Sequence, residues 1–201
     1  MTFDDYRAAP CGSLSIPWWK QQEMVATERI RIVHDIDYAG VPEGWTEDRY
    51  FRLLHTLKTV EQVSPPGVTL ETCFEAALMG AIISRCYRIQ PSDMLKTMQQ
   101  HGTYWLALWI LARDRAGTEM GSGIALLDAV TGEGLLEWVQ VLPRHRRCGV
   151  GRAVVLELLN RMKSRADFVT VSGRVDSPVA ESLYRSCGFT GEDVWHILGR
   201  M

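Results

Sequence analysis

The sequence predicts an α+β (mixed α/β) fold, a central sheet of mixed strand direction flanked by helices. Three observations predict it. Short alternating or apolar runs recur between turn-forming residues, which is strand chemistry. Between them lie stretches with apolar residues three and four apart, the helical period. One strand–helix–strand unit, from Leu142 through residues 149–163 to Phe168, requires a right-handed parallel crossover.

The elements follow in order. "SIPWWK" (residues 15–20) is an aromatic patch beside a proline. "RIRIVHDIDY" (29–38) alternates isoleucine and valine with polar residues and reads as a strand. "TEDRYFRLLHTLKTV" (46–60) reads as a helix with Thr46 as N-cap and acids in its first turn. "SPPG" (64–67) punctuates the chain and is the best linker. It divides an N-terminal extension, residues 1–66, expected to cover the acceptor side of a site or an interface, from a domain at 67–201. In that domain 68–73 is a strand and 74–87 and 91–100 are helices. Three strands follow at 103–113, 120–130 and 134–142, joined by hairpin turns "DRAGTE" and "TGEG". The helix at 149–163 is apolar at Val154, Val155, Leu158, Leu159 and Met162. Residues 168–175 form a strand. Residues 177–187 form a helix with Ser177 as N-cap, Pro178 at its first position and Gly188 past its end. A closing strand spans 193–198.

Composition bounds the function. A chain of 201 residues with 46% hydrophobic and 23% charged residues can bury a core without staples. A formal net charge of −2 offers no global field to nucleic acid or an anionic membrane. The five cysteines are scattered and contain no C-x-x-C pair, which disfavours both a disulfide framework and a zinc site and fits a reducing cytoplasm. The first residues open with acids rather than an apolar stretch, unlike a signal peptide. The apolar run "YWLALWILA" (104–112) is too short to span a bilayer.

The stretch that asks for a ligand is "VLPRHRRCGVGRAVVLELL" (141–159), where a basic loop runs into a helix start. A helix N-terminus offers free N–H groups and the positive end of the dipole. Gly149 and Gly151 let an anion approach the backbone, and Arg144, Arg146, Arg147 and Arg152 add permanent charge. A solvated basic loop is the competing reading of a lone G-x-G. A Walker loop fails for want of the lysine and hydroxyl. A dinucleotide fingerprint fails because Val154 stands at the third glycine.

"VLPRHRRCGVG" resembles the acetyl-CoA signature of the GCN5-related N-acetyltransferase (GNAT) superfamily, R/Q-x-x-G-x-G/A after a strand ending V-x-P, with Arg146, Gly149 and Gly151 at its defining positions. "SPVAESLYRSCGF" resembles the second signature, N-x-x-A-x-x-L-Y-x-x-x-G-F, at Ala180, Leu183, Tyr184, Gly188 and Phe189. Ser177, after Asp176, replaces the usual asparagine. Residues 1–66 lie outside these signatures. "SIPWWK" with the closing "DVWHIL" resembles a bacterial branch of the superfamily.

The resemblance implies a sheet of about six or seven strands, with a parallel, splayed strand pair at the cofactor site. It implies acetyl-CoA as acyl donor, no metal, and transfer to a primary amine by direct attack. Val139, Val141, Arg146, Arg147, Cys148, Gly149, Val150, Gly151, Arg152 and Ser177 would hold the donor. Tyr184 would be the general acid for the leaving thiolate; its competing role is core packing. Glu137 would be the general base. It alternates with Val139 and Val141 on one strand, so the three are expected on one face, and the competing role is a structural ion pair. His34 with Asp35 and Asp37 could line an amine pocket, as could Trp18, Trp19, Trp105 and Trp138, and His196 sits in the closing strand. These acids and Glu137 would suit a cationic amine. Cys148 lies among arginines at a helix start, where a thiol pKa falls, but lacks the partners of a nucleophile. The expected partner is a small-molecule or peptide amine, with neither nucleic acid nor membrane, and a homodimer is compatible. Two other readings stay open: a non-catalytic acyl-CoA sensor on the same fold, and a donor with another acyl chain.

Overall fold

A computed structural model of the chain describes residues 29–63, 65–87 and 89–200. The segment at 15–20, with Trp18 and Trp19, lies outside the described residues, as does Cys11. Eight strands form one sheet in the order β1-β8-β2-β7-β6-β5-β4-β3. They are β1 (Ile30–His34), β2 (Trp45–His55), β3 (Thr69–Thr72), β4 (Trp109–Arg113), β5 (Glu119–Asp128), β6 (Glu133–Val141), β7 (Phe168–Arg174) and β8 (Thr190–Arg200). All neighbours are antiparallel except β6 and β7, the parallel pair the crossover requires.

Helices α1 (Ala76–Tyr87) and α2 (Ser92–Gln99) cover one face of the sheet. Their Met79, Ile82, Ile83, Leu95 and Met98 pack with Trp109, Leu111 and Leu135. Helices α3 (Val150–Met162) and α4 (Pro178–Ser186) cover the other. There Val154, Leu158 and Met162 pack with Leu136, Phe51 and Tyr184. Burying each large aliphatic side chain contributes about 1.5–3 kcal/mol, so both cores hold the sheet from opposite sides. Among the described residues no helix is long and apolar enough to cross a membrane.

Three elements differ from the sequence reading. The helix expected over 46–60 is instead strand β2, the element that takes the sheet to eight strands. It lies between β8 and β7 and pairs with both, so its ladder is satisfied on two edges. Phe51, Leu53 and His55 turn to the α3 face, and Arg52 is buried on the opposite one at 4% exposure. The charged residues of this segment are therefore sheet residues with distant partners. The strand expected over 103–113 is confined to Trp109–Arg113, with a 3-10 turn at Leu106–Leu108 before it. A run that is apolar throughout has no period to mark where a strand starts. The strand expected over 29–38 stops at His34, whose Nδ1 accepts the Ile36 N–H at 3.2 Å and caps a 3-10 turn at Asp35–Asp37.

Candidate active site

The parallel pair carries the site. β6 and β7 pair from Glu133↔Phe168 to Leu136↔Val171, although β6 runs on to Val141 and β7 to Arg174. The two strands therefore splay. A β-bulge sits at the point of departure: Ile124 of β5 faces Trp138 and Ala125 faces Leu136, which makes Glu137 the inserted residue. A bulge bends its strand and strengthens the twist. It also interrupts the strict alternation that was expected to align Glu137 with Val139 and Val141.

The backbone beyond the bulge faces the gap. Leu142 N–H donates to Met120 O at 2.9 Å, a hydrogen-bonded antiparallel pair. Such pairs alternate with non-bonded ones. Val141 opposite Gly121 and Val139 opposite Gly123 are then non-bonded toward β5. Their N–H and C=O groups point at the space β7 has left.

That space opens into a cavity of about 600 Å³, within the range of small-molecule sites. Tyr184 and Ala180 of α4 line it from one face, Glu137 and Val139 line its middle, and Tyr87 at the end of α1 lines it from the other. Tyr184 is 8% exposed, its ring edge-on to Phe51 and Phe189. Burial holds its hydroxyl well above the ordinary tyrosine range, and Tyr87, Cys187 and Glu137 push it the same way. It thus keeps its proton, as an acid must until the moment of transfer. Tyr87 donates to Val139 O at 3.3 Å and meets Trp138 edge-on at 5.6 Å. No motif marks Tyr87 or Tyr50 in the sequence, and none gave Trp195 a role in a site, yet all three line the cavity.

The loop after β6 reaches the N-terminus of α3. A 3-10 turn at Pro143–His145 leads to Arg147 at φ 63° and Gly149 at φ 80°, two left-handed residues in close succession. Gly149 is the N-cap position, and Ala153 N–H donates to its carbonyl at 3.0 Å. The N–H groups of Val150, Gly151 and Arg152 precede that first bond and have no intrahelical acceptor. A Cβ at Gly149 would meet only Pro65, at 3.8 Å, so space lies beside it. A Cβ at Gly151 would press on Leu183 at 3.2 Å and Val141 at 3.4 Å. Gly151 therefore also seats α3 against α4 and β6, a packing role that the motif does not disclose.

The side chains of the loop divide. Arg146 Nε donates to Val141 O at 3.1 Å, which fixes it at the mouth of the gap. Cys148 is exposed and donates to Arg146 O. Val150 is buried, so only its backbone can face a ligand. Arg152 turns away to Glu61 at 2.8 Å and to Ser186 O. Ser177 caps α4 by position without a side-chain hydrogen bond, and lines the cavity.

Of the expected pocket residues, Trp138 lines the cavity, and the others that the structure describes lie elsewhere. His196 sits between Asp35, at 2.9 Å from Nε2, and Glu47, at 2.6 Å from Nδ1, with Tyr38 stacked at 3.6 Å. His34 approaches Asp193 at 3.5 Å. None of these is among the cavity's lining residues, and neither are Asp37 or Trp105, over which Arg165 lies at 4.5 Å. Among the described residues no cluster of three histidine, cysteine or acidic side chains could hold a metal.

Comparison with known proteins places this geometry. Residues 102–191, which contain the β6–α3 loop and α4, match the family described as Acetyltransferase (GNAT) domain. The matched stretch is a GNAT-type domain, and the fold of the chain is similar to that of solved GNAT proteins. Its fold is similar to the GNAT structure from Sphaerobacter thermophilus, at TM-score 0.64 and 21% identity over 77% of this chain and 52% of that one. It is similar to a GNAT from Kribbella flavida at TM-score 0.60 and 18% identity, over 92% and 75% of the two chains. The ribosomal-protein-S18-alanine N-acetyltransferase from Escherichia coli aligns at TM-score 0.52 and 17% identity, over 65% and 92%. No curated protein matches the chain by sequence. The chain spans about half the length of the first two solved structures it resembles. Acetyl transfer is the activity of that family.

Proposed function

We propose that the chain is an acetyl-CoA-dependent N-acetyltransferase that modifies a primary amine by direct attack. The observation that carries this reading is the gap between β6 and β7, which exposes the backbone of Val139 and Val141 and ends at the left-handed Gly149 before α3. The free N–H groups at the start of α3 suit the donor's pyrophosphate. The strand amides suit its pantetheine arm, as an added strand would. The donor supplies an activated thioester. The protein orients it through β6 and the α3 loop and brings the amine to the same point, which removes most of the entropic barrier.

The proton traffic falls to two residues. As the amine nitrogen bonds to the acyl carbon and the carbon–sulfur bond breaks, Tyr184 gives its proton to the departing thiolate. Glu137, at the bulge and in electrostatic reach of Tyr184, takes the proton the amine must lose, directly or through water. Of the sequence-derived donor contacts, the amides of residues 150–152 and the strand backbone carry this reading. The Arg152 side chain, engaged by Glu61, contributes little.

The test is thiol release from acetyl-CoA with a pooled set of primary amines, with a mass shift of one acetyl group on the product. Amine-dependent release supports the transferase. Binding of acetyl-CoA with no release for any amine would replace it with a sensor.

A further inference from the structure

The cavity continues through the sheet to the face of α1 and α2, where an acceptor would enter. Residues opposed in antiparallel strands share a face. Ile32 and Ile197 are opposed, and so are Tyr50 and Trp195. All four line the cavity, together with Tyr87 and Trp138. Four aromatic rings and two isoleucines therefore surround the approach to the transfer point.

The charges on this wall do not suit a polycation. Glu137 is the single acid among the described residues that line the cavity, beside two arginines. Arg52 is held by Glu133 at 3.2 Å, and Arg174 by Asp48 at 2.8 Å and Asp176 at 3.1 Å. The acids that suggested a cationic acceptor, Asp35 and Asp37, stand outside. A polyamine would lose hydration here against a single lining carboxylate, since the acids that hold the two guanidinium groups are already engaged. A small polar amine would leave the rings in contact with water. A flat apolar body would bury against them, with ring–ring contacts adding to the area term.

Resting on the transferase reading above, we infer that the acceptor is a primary amine on a short arm from an aromatic body, an arylalkylamine. The body lies between the Tyr50–Trp195 pair and the Tyr87–Trp138 pair. The amine reaches Glu137 and the donor's acyl carbon in the gap. Tyr50 and Tyr87 are the specificity-determining residues of this wall, both partly exposed and open to substitution.

The experiment compares kcat/KM for phenethylamine and tryptamine with ethylamine and spermidine at saturating acetyl-CoA. The aromatic amines are expected to exceed the others by about tenfold or more, from ring burial and ring–ring contact. Tyr50→Ala should raise KM for phenethylamine by a similar factor and by clearly more than that for ethylamine, leave the calorimetric acetyl-CoA affinity within about twofold, and be rescued by Tyr50→Phe. Preference for spermidine or ethylamine, or an unchanged phenethylamine KM in Tyr50→Ala, overturns this inference and leaves the transferase reading intact. Absence of acetyl-CoA binding overturns both.

Discussion

Arg52, which lines the cavity, and Glu133 form a buried ion pair, 4% and 0% exposed. The Arg52 guanidinium also donates to Ser172 and Thr170, both at 2.7 Å, and the Thr170 hydroxyl donates to Glu133 at 2.7 Å. The network ties β2, β6 and β7 together along the paired stretch that precedes the splay. Replacing one member leaves the other charge buried without its counter-ion, which costs about 3–5 kcal/mol. At about 2–4 °C per kcal/mol for a chain of this size, Arg52→Met or Glu133→Leu should lower Tm by about 6–20 °C. The double variant removes both charges together. It should recover most of the loss, retaining about 1 kcal/mol for each hydroxyl left without its partner. Urea unfolding of the four proteins reads the coupling, expected at about 2 kcal/mol or more. Single variants that each cost less than about 1 kcal/mol, or costs that simply add, would refute the claim that this pair anchors the splay.

Two further predictions are narrower. Tyr184→Phe should reduce kcat by about a hundredfold with little change in acetyl-CoA affinity, and since burial raises the hydroxyl pKa, kcat should show no basic fall from this group below about pH 10. His55 is buried, its pKa lowered by desolvation, and its Nδ1 accepts the Leu57 N–H at 3.0 Å. The unfolded chain then binds the proton first, so stability is fully present above about pH 6.5 and declines as pH falls from there towards the depressed folded value. His55→Asn, which keeps an acceptor, should flatten Tm between pH 7 and 5; an equally steep decline in the variant would assign the effect to other groups.

The legibility of this chain in its sequence divides along local and distant causes. The α3 loop and α4 were readable because their signals are local: a glycine where φ reaches 80°, apolar residues at helical spacing, and a proline opening α4. β2 was not. Arg52 meets Glu133 81 residues away and Thr170 118 away, so nothing nearby told a buried arginine from a solvated one. The bulge at Glu137 was equally hidden, since it is defined by the register of β5 against β6. Val139 and Val141 were placed at the gap from a motif, and the alternation set by Leu142 and Met120 now supplies the physical reason. Of the aromatic wall only Trp138 was singled out in the sequence; the other rings come from β2, β8 and α1 and converge with it only in the folded sheet.

The central claim is that the splayed gap and the α3 N-terminus hold acetyl-CoA. Calorimetric titration of acetyl-CoA into the full chain and into Gly149→Val tests it most directly. Valine at φ 80° is strained by about 1–3 kcal/mol, so the loop either distorts or the variant loses some stability, by no more than about 10 °C in Tm. The account predicts saturable binding by the parent chain and at least about tenfold weaker binding by the folded variant. Equal affinity in both, or no binding by the parent, would contradict it.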